Sequence, residues 1–116
     1  MTRERARPPA GASARPAARS AAKSESPELV RLRRRIDALD RRIVGLLNER
    51  AELGREVGRA KKIAGRTVRD VEREREVLLR VALANLGPLA QADLLAIYRR
   101  LIAATRALEE HDRSPD

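Results

Sequence analysis

The chain has 116 residues, no cysteine, one histidine and a formal charge of +9. Without thiols there is no disulfide framework, thiolate metal site or cysteine nucleophile, and His111, near a polar C-terminus, reads as a solvated residue, so the sequence calls for no metal and no cofactor. No apolar run approaches the ~20 residues of a membrane span and no secretory core opens the chain, which points to a cytoplasmic protein without a membrane partner.

The charge is uneven. Residues 1–27 carry six basic and two acidic side chains, and the remaining 89 carry twenty and fifteen. The modest excess on the later part suits a small anionic ligand. Nucleic acid is disfavoured as a partner, because stacking platforms need rings and Tyr98 is the sole aromatic residue. The size bounds one domain at most, with a core thin enough to point to an oligomer.

In chain order, residues 1–27 are rich in Ala, Arg, Pro and Ser with no hydrophobic period, and are expected to be a disordered basic tail. Ser26-Pro27-Glu28 is a helix start, with Ser26 as N-cap and proline at the first helical position. From Glu28 to Ala64 a heptad pattern places Leu29, Ile36, Ile43, Arg50, Val57 and Ala64 at one position. Leu32, Leu39, Leu46, Leu53 and Ala60 occupy the other. This is one helix of ~55 Å, which needs partner helices along its length. Arg50 is the exception in its seam, and a guanidinium there calls for a carboxylate or phosphate unless its head reaches water.

Gly65 ends the helix in the left-handed conformation, and Arg66-Thr67-Val68 forms an extended link. Asp70 is placed to cap a second helix whose apolar face is Val71, Val77, Leu78, Val81 and Ala82. Asn85-Leu86-Gly87-Pro88 stops it. A third helix is expected from about Leu89 to Glu110, with Leu94, Leu95, Tyr98, Leu101, Ile102, Thr105 and Leu108 facing inward. The fold class is all-α: one long and two shorter helices over residues 28–111, followed by a disordered terminus at 112–116.

Spacing tests where a ligand could sit. Arg50 and Lys61 are three turns and ~20° apart, with Cα atoms ~16 Å distant, so two long side chains can close on one small dianion. Arg33 lies ~25 Å before Arg50 and about 100° round the helix, out of reach of the same ligand within one chain. Either Arg33 is a surface residue or a two-fold partner brings it to the far end of the site. Asp70, Arg73 and Glu74 cluster on the first turn of helix two, where Asp70 could serve as a cap alone and Glu74 as a solvated residue. Thr105 and Glu109 share a face of helix three, although Thr105 could bond its own backbone.

Taken together, these stretches resemble the all-helical chorismate mutases. The resemblance runs from about Glu28 to Glu110 through LRRRIDALDRRIVGLLNERAELGREVGRAK, VRDVEREREVLLR, NLGPL and IYRRLIAATRALE. It implies an intertwined two-fold homodimer in which Arg33 is donated by the second subunit, while Arg50 and Lys61 come from the site's own long helix. Asp70, Arg73 and Glu74 would hold the ring hydroxyl and a carboxylate, Thr105 would bring a hydroxyl to the pocket, and Val57 and Ile102 would line it. Glu109 falls where both acidic and amide side chains occur in the family.

The implied activity is the intramolecular [3,3] rearrangement of chorismate to prephenate in aromatic amino acid biosynthesis. Such a reaction needs a folded dicarboxylate and a donor at the ether oxygen, roles that arginines, Lys61 and a protonated Glu109 can fill. Two other readings share the fold: an isochorismate pyruvate-lyase, and a non-catalytic helical module that binds a partner enzyme of the aromatic pathway.

Overall fold

The computed structural model describes residues 25–114. The expected N-terminal tail therefore lies outside the described residues as far as residue 24, as do the last two residues of the expected C-terminal one. Among the described residues the elements are α1 (Pro27–Ile63), α2 (Val71–Ala84) and α3 (Gln91–Asp112), with no strand. Two compact units divide within α1, between Ile43 and Val44.

The first unit is the early part of α1. Its start is set as the sequence indicates, with Ser26 Oγ accepting from the Leu29 amide at 3.1 Å and Pro27 at the first helical position. Glu28 sits in the first turn, where its charge offsets the helix dipole, and pairs with Arg31 at 2.6 Å. Arg33 pairs with Glu25. The stripe of Leu29, Leu32, Ile36, Leu39 and Ile43 is exposed.

The second unit holds the later part of α1 with α2 and α3. Gly65 takes φ +72° and its amide and that of Arg66 return to the Lys62 and Lys61 carbonyls, closing α1 as the glycine predicts. In the link that follows, Val68 is buried, and its carbonyl accepts from Lys61 Nζ at 2.8 Å. Asp70 is extended at φ −130°, ψ 91°, and its side chain accepts from the Arg73 amide at 3.0 Å, so it is the cap of α2.

Helix α3 begins at Gln91 and ends at Asp112, a shift of two residues at each end from the expected span. The start moves because the connection is tied up in side-chain hydrogen bonds. Asn85 Nδ2 donates to the Leu89 carbonyl and to Gln91 Oε1, and Gln91 Nε2 donates back to the Ala82 carbonyl. The end moves because Arg55 clamps Asp112 through two parallel bonds of 2.9 and 3.0 Å, which hold its carboxyl below the ordinary range. Asp112 is thus a helix residue.

Of the residues expected on inner faces, Val77, Leu78, Val81 and Ala82 of α2 and Leu94, Leu95, Tyr98, Leu101 and Ile102 of α3 are half-buried or better. Val71 and Leu108 are exposed instead. Val71 directly follows the cap. At Leu108 the approach of α3 to α1 runs through Thr105 and Glu109, leaving Leu108 to one side.

That approach depends on two glycines. A methyl added at Gly54 would overlap Thr105 Cγ2, and one added at Gly58 would lie 2.9 Å from Glu109 Cγ. Thr105 cannot easily give way, since its hydroxyl donates to the Leu101 carbonyl at 3.0 Å and the residue is buried. Gly54→Ala gains ~1 kcal/mol of helix propensity. Overpacking costs about 1 to 3 kcal/mol. A net loss is expected in thermal unfolding, and Gly54→Ala/Thr105→Ser, which removes the obstructing methyl, should recover most of it. An unrescued loss would place the strain elsewhere.

Candidate active site

In the second unit, the three helices enclose an open cleft of about 300 Å³. From α1 it receives Arg50, Val57 and Lys61, from the α2 end Asp70, Arg73 and Glu74, and from α3 Ile102, Thr105 and Glu109. The residues singled out on separate helices therefore meet at one place. Arg33 belongs to the first unit and does not line this cleft.

Arg50, the cation in the apolar seam, is half-buried with its guanidinium 5.8 Å from the centre of the Tyr98 ring. The ring face offsets part of its desolvation without neutralising it. Among the described residues no carboxylate pairs with Arg50, so its charge is directed at the cleft and not spent on an internal ion pair.

Lys61 is held from two sides. Nζ donates to the Val68 carbonyl and stands 4.0 Å from Glu109 Oε1, with the two side chains only 14% and 9% exposed. An ammonium has three donors, so the tether leaves others free. Among the described residues, Glu109 Oε1 has no hydrogen-bond partner. Burial raises the carboxyl's pKa above its ordinary value, and the nearby positive charge of Lys61, with smaller contributions from Arg113 and Arg106, opposes the rise without cancelling it. Ionisation would place an underpaired charge on a side chain that is almost wholly buried. Protonation gives a donor beside a fixed cation.

The remaining polar groups have defined partners. Asp70 Oδ1 is occupied by the α2 cap, and Arg66 reaches Oδ2 at 3.5 Å. Arg73 lies against Glu76 at 2.6 Å on an exposed side chain that can swing without breaking a buried contact. Thr105 donates to its own helix, which leaves its oxygen as an acceptor towards the cleft. Val57, Ile102, Leu53, Val68 and Val77 supply apolar walls. Such a site can clamp an anionic, partly apolar molecule and present a proton donor and an ammonium together; among the described residues it offers no cluster of three metal-ligating side chains.

A family model described as chorismate mutase type II matches residues 32–110. The chain belongs to the chorismate mutase type II family. It is 39% identical over 87 residues to a bifunctional chorismate mutase/prephenate dehydratase of Aquifex aeolicus, covering 72% of this chain and 24% of that protein. A protein of the same name from Escherichia coli is 47% identical over 76 residues, covering 66% and 19%. The chain thus spans a quarter or less of these curated relatives. Among solved structures, a chorismate mutase of Thermus thermophilus (form II) superposes with a TM-score of 0.69 at 31% identity, over 72% of this chain and 94% of that one.

Within this chorismate mutase fold the pattern of the sequence did not single out every residue that shapes the cleft. Gly54 and Gly58 set the helix approach, but a glycine in a long helix does not announce what it faces. Arg106 also lines the cleft and donates to Glu74 Oε2 at 2.5 Å. Its signal was available only in retrospect: it lies next to Thr105 and three residues before Glu109, on the same helix edge.

Proposed function

We propose that residues 28–111 form a chorismate mutase domain that converts chorismate to prephenate. The observation that carries this reading is the pairing of a buried Glu109 with a tethered Lys61 at the end of a cleft that also holds an uncommitted Arg50. In the rearrangement the ether C–O bond breaks as a C–C bond forms, and negative charge grows on the ether oxygen. Lys61 answers it with a fixed charge and Glu109 with an O–H, while Arg50 fixes a carboxylate so that the two ends of the folded substrate stay in contact. Arg73 serves the second carboxylate from the α2 end, Asp70 and Glu74 face the ring hydroxyl, and Val57 and Ile102 hold the ring.

The reaction moves no electron to or from the substrate and uses no nucleophile, so charges held in place are sufficient. The relatives named as bifunctional mutase/dehydratases support a prephenate-consuming enzyme as a partner. The cytoplasm is the proposed location.

A second copy completes the site in this reading. The first unit presents an apolar stripe from Leu29 to Ile43, half of it or more exposed at Ile36, Leu39 and Ile43. In proteins most helical stability comes from packing of such an apolar face. An intertwined two-fold dimer covers the stripe and carries Arg33 to the partner's cleft.

Purified protein should deplete chorismate with appearance of prephenate, and should not release pyruvate from isochorismate. An inactive isolated chain would favour the non-catalytic module. Because only the protonated Glu109 donates, kcat/KM should fall as pH rises through its raised pKa in the free protein. Glu109→Gln, which donates at every pH, should flatten the profile, and Glu109→Ala should lose about 3 kcal/mol of transition-state stabilisation, as for one oxyanion-type donor. A wild-type rate that is flat or climbs from mildly acidic to mildly alkaline pH would remove the acid role. For the dimer, inactive Arg33→Ala and Arg50→Ala chains should regain activity when co-refolded, because some hybrid sites hold both arginines. No recovery in proven heterodimers would place both arginines in one chain's site.

A further inference from the structure

Glu74 is gripped on one oxygen by two guanidinium groups that differ in kind. Arg69 reaches Oε2 at 3.3 Å from the link, on a side chain 56% exposed. Arg106 reaches the same oxygen at 2.5 Å from α3, with its side chain 24% exposed and that of Glu74 21% exposed. The first contact is long and largely in water, where an ion pair contributes little. The second crosses from one helix to another and lies in the cleft wall. Among the described residues, Glu74 Oε1 accepts no hydrogen bond.

We propose that Arg106 is a positioning residue: by holding Oε2 it fixes the rotation of the Glu74 carboxylate and turns Oε1 to the cleft as the acceptor for the substrate's ring hydroxyl. A carboxylate at the end of a long side chain is otherwise free to rotate, and an acceptor that must be ordered on binding weakens recognition. The position of Arg106 on α3, one residue from Thr105 and three from Glu109, ties this acceptor to the helix that carries the proposed acid. Ring orientation and ether-oxygen catalysis are then set by a single rigid element.

This inference rests on the proposed mutase reaction. The test compares wild type, Arg106→Met, Arg106→Lys, Glu74→Gln and Arg106→Met/Glu74→Gln, each assayed with chorismate and with an analogue lacking the ring hydroxyl. For chorismate, Arg106→Met should lower kcat/KM about tenfold to a hundredfold, the range of one hydrogen bond to a charged group. Arg106→Lys should recover part of it. With the analogue the same substitution should cost no more than about twofold, and in the Glu74→Gln background its loss for chorismate should shrink to that level, since the residues act as a unit.

Equal losses for both substrates, or a full loss in the Glu74→Gln background, would show Arg106 acting directly on a substrate carboxylate and overturn the proposal. A wild type that does not convert chorismate would instead overturn the reaction on which the proposal stands. If Arg106→Met fails to give a cooperative thermal transition, Arg106→Gln, which retains a neutral donor, carries the same comparison.

Discussion

The close approach of α3 to α1 at Gly54 and Gly58 is the constraint on which the cleft depends. A Cβ at either position would press on Thr105 or Glu109, so the absence of two methyl groups decides how deeply Glu109 is set between the helices. Its depth in turn fixes its chemistry. A carboxyl at a helix end normally ionises in water, but here it is 8% exposed, with one oxygen unpartnered and an ammonium 4.0 Å away. Arg55 and Asp112 reinforce the approach one turn further along α3.

Around that contact the charges are divided between those that satisfy one another and those held ready. Glu74 is paired with Arg106, and Asp70 is committed to the cap of α2. Arg50 rests over Tyr98, and Lys61 is steadied by a neutral carbonyl. In the proposed reaction a dicarboxylate meets in Arg50 a cation with no ion pair to break among the described residues, whereas Arg73 has to leave Glu76 on an exposed side chain. Little reorganisation is then required when charge develops on the substrate, which is the condition for electrostatic catalysis.

Much of this was legible in the sequence because it depends on local rules. Ser26, Gly65 and Asp70 mark helix ends by backbone chemistry that the neighbouring residues cannot override, and the structure shows each in its expected role. The alignment of Arg50 with Lys61 follows from helix geometry, and both line the cleft. What the sequence concealed depends on contacts between elements. Arg106 looks like an ordinary charge on a polar face until α2 is seen to place Glu74 against it. The start of α3 was misplaced because the turn before it is held by Asn85 and Gln91 side chains, whose partners lie on both sides of the stop. Thr105 shows the limit of reading a hydroxyl by position: it lines the cleft, yet its proton goes to its own helix.

The central claim is that burial makes Glu109 harder to ionise than an ordinary glutamate even though a cation stands beside it. Its most direct test is a carbon-13 NMR titration of side-chain carboxyl carbons in labelled protein, with the Glu109 signal assigned by its loss in Glu109→Gln. The account predicts a titration midpoint clearly above the ordinary glutamate value of about 4.3, because burial outweighs the pull of Lys61. A midpoint at or below that value would contradict it, since Lys61 would then outweigh burial and Glu109 would be a carboxylate wherever an ordinary glutamate is one.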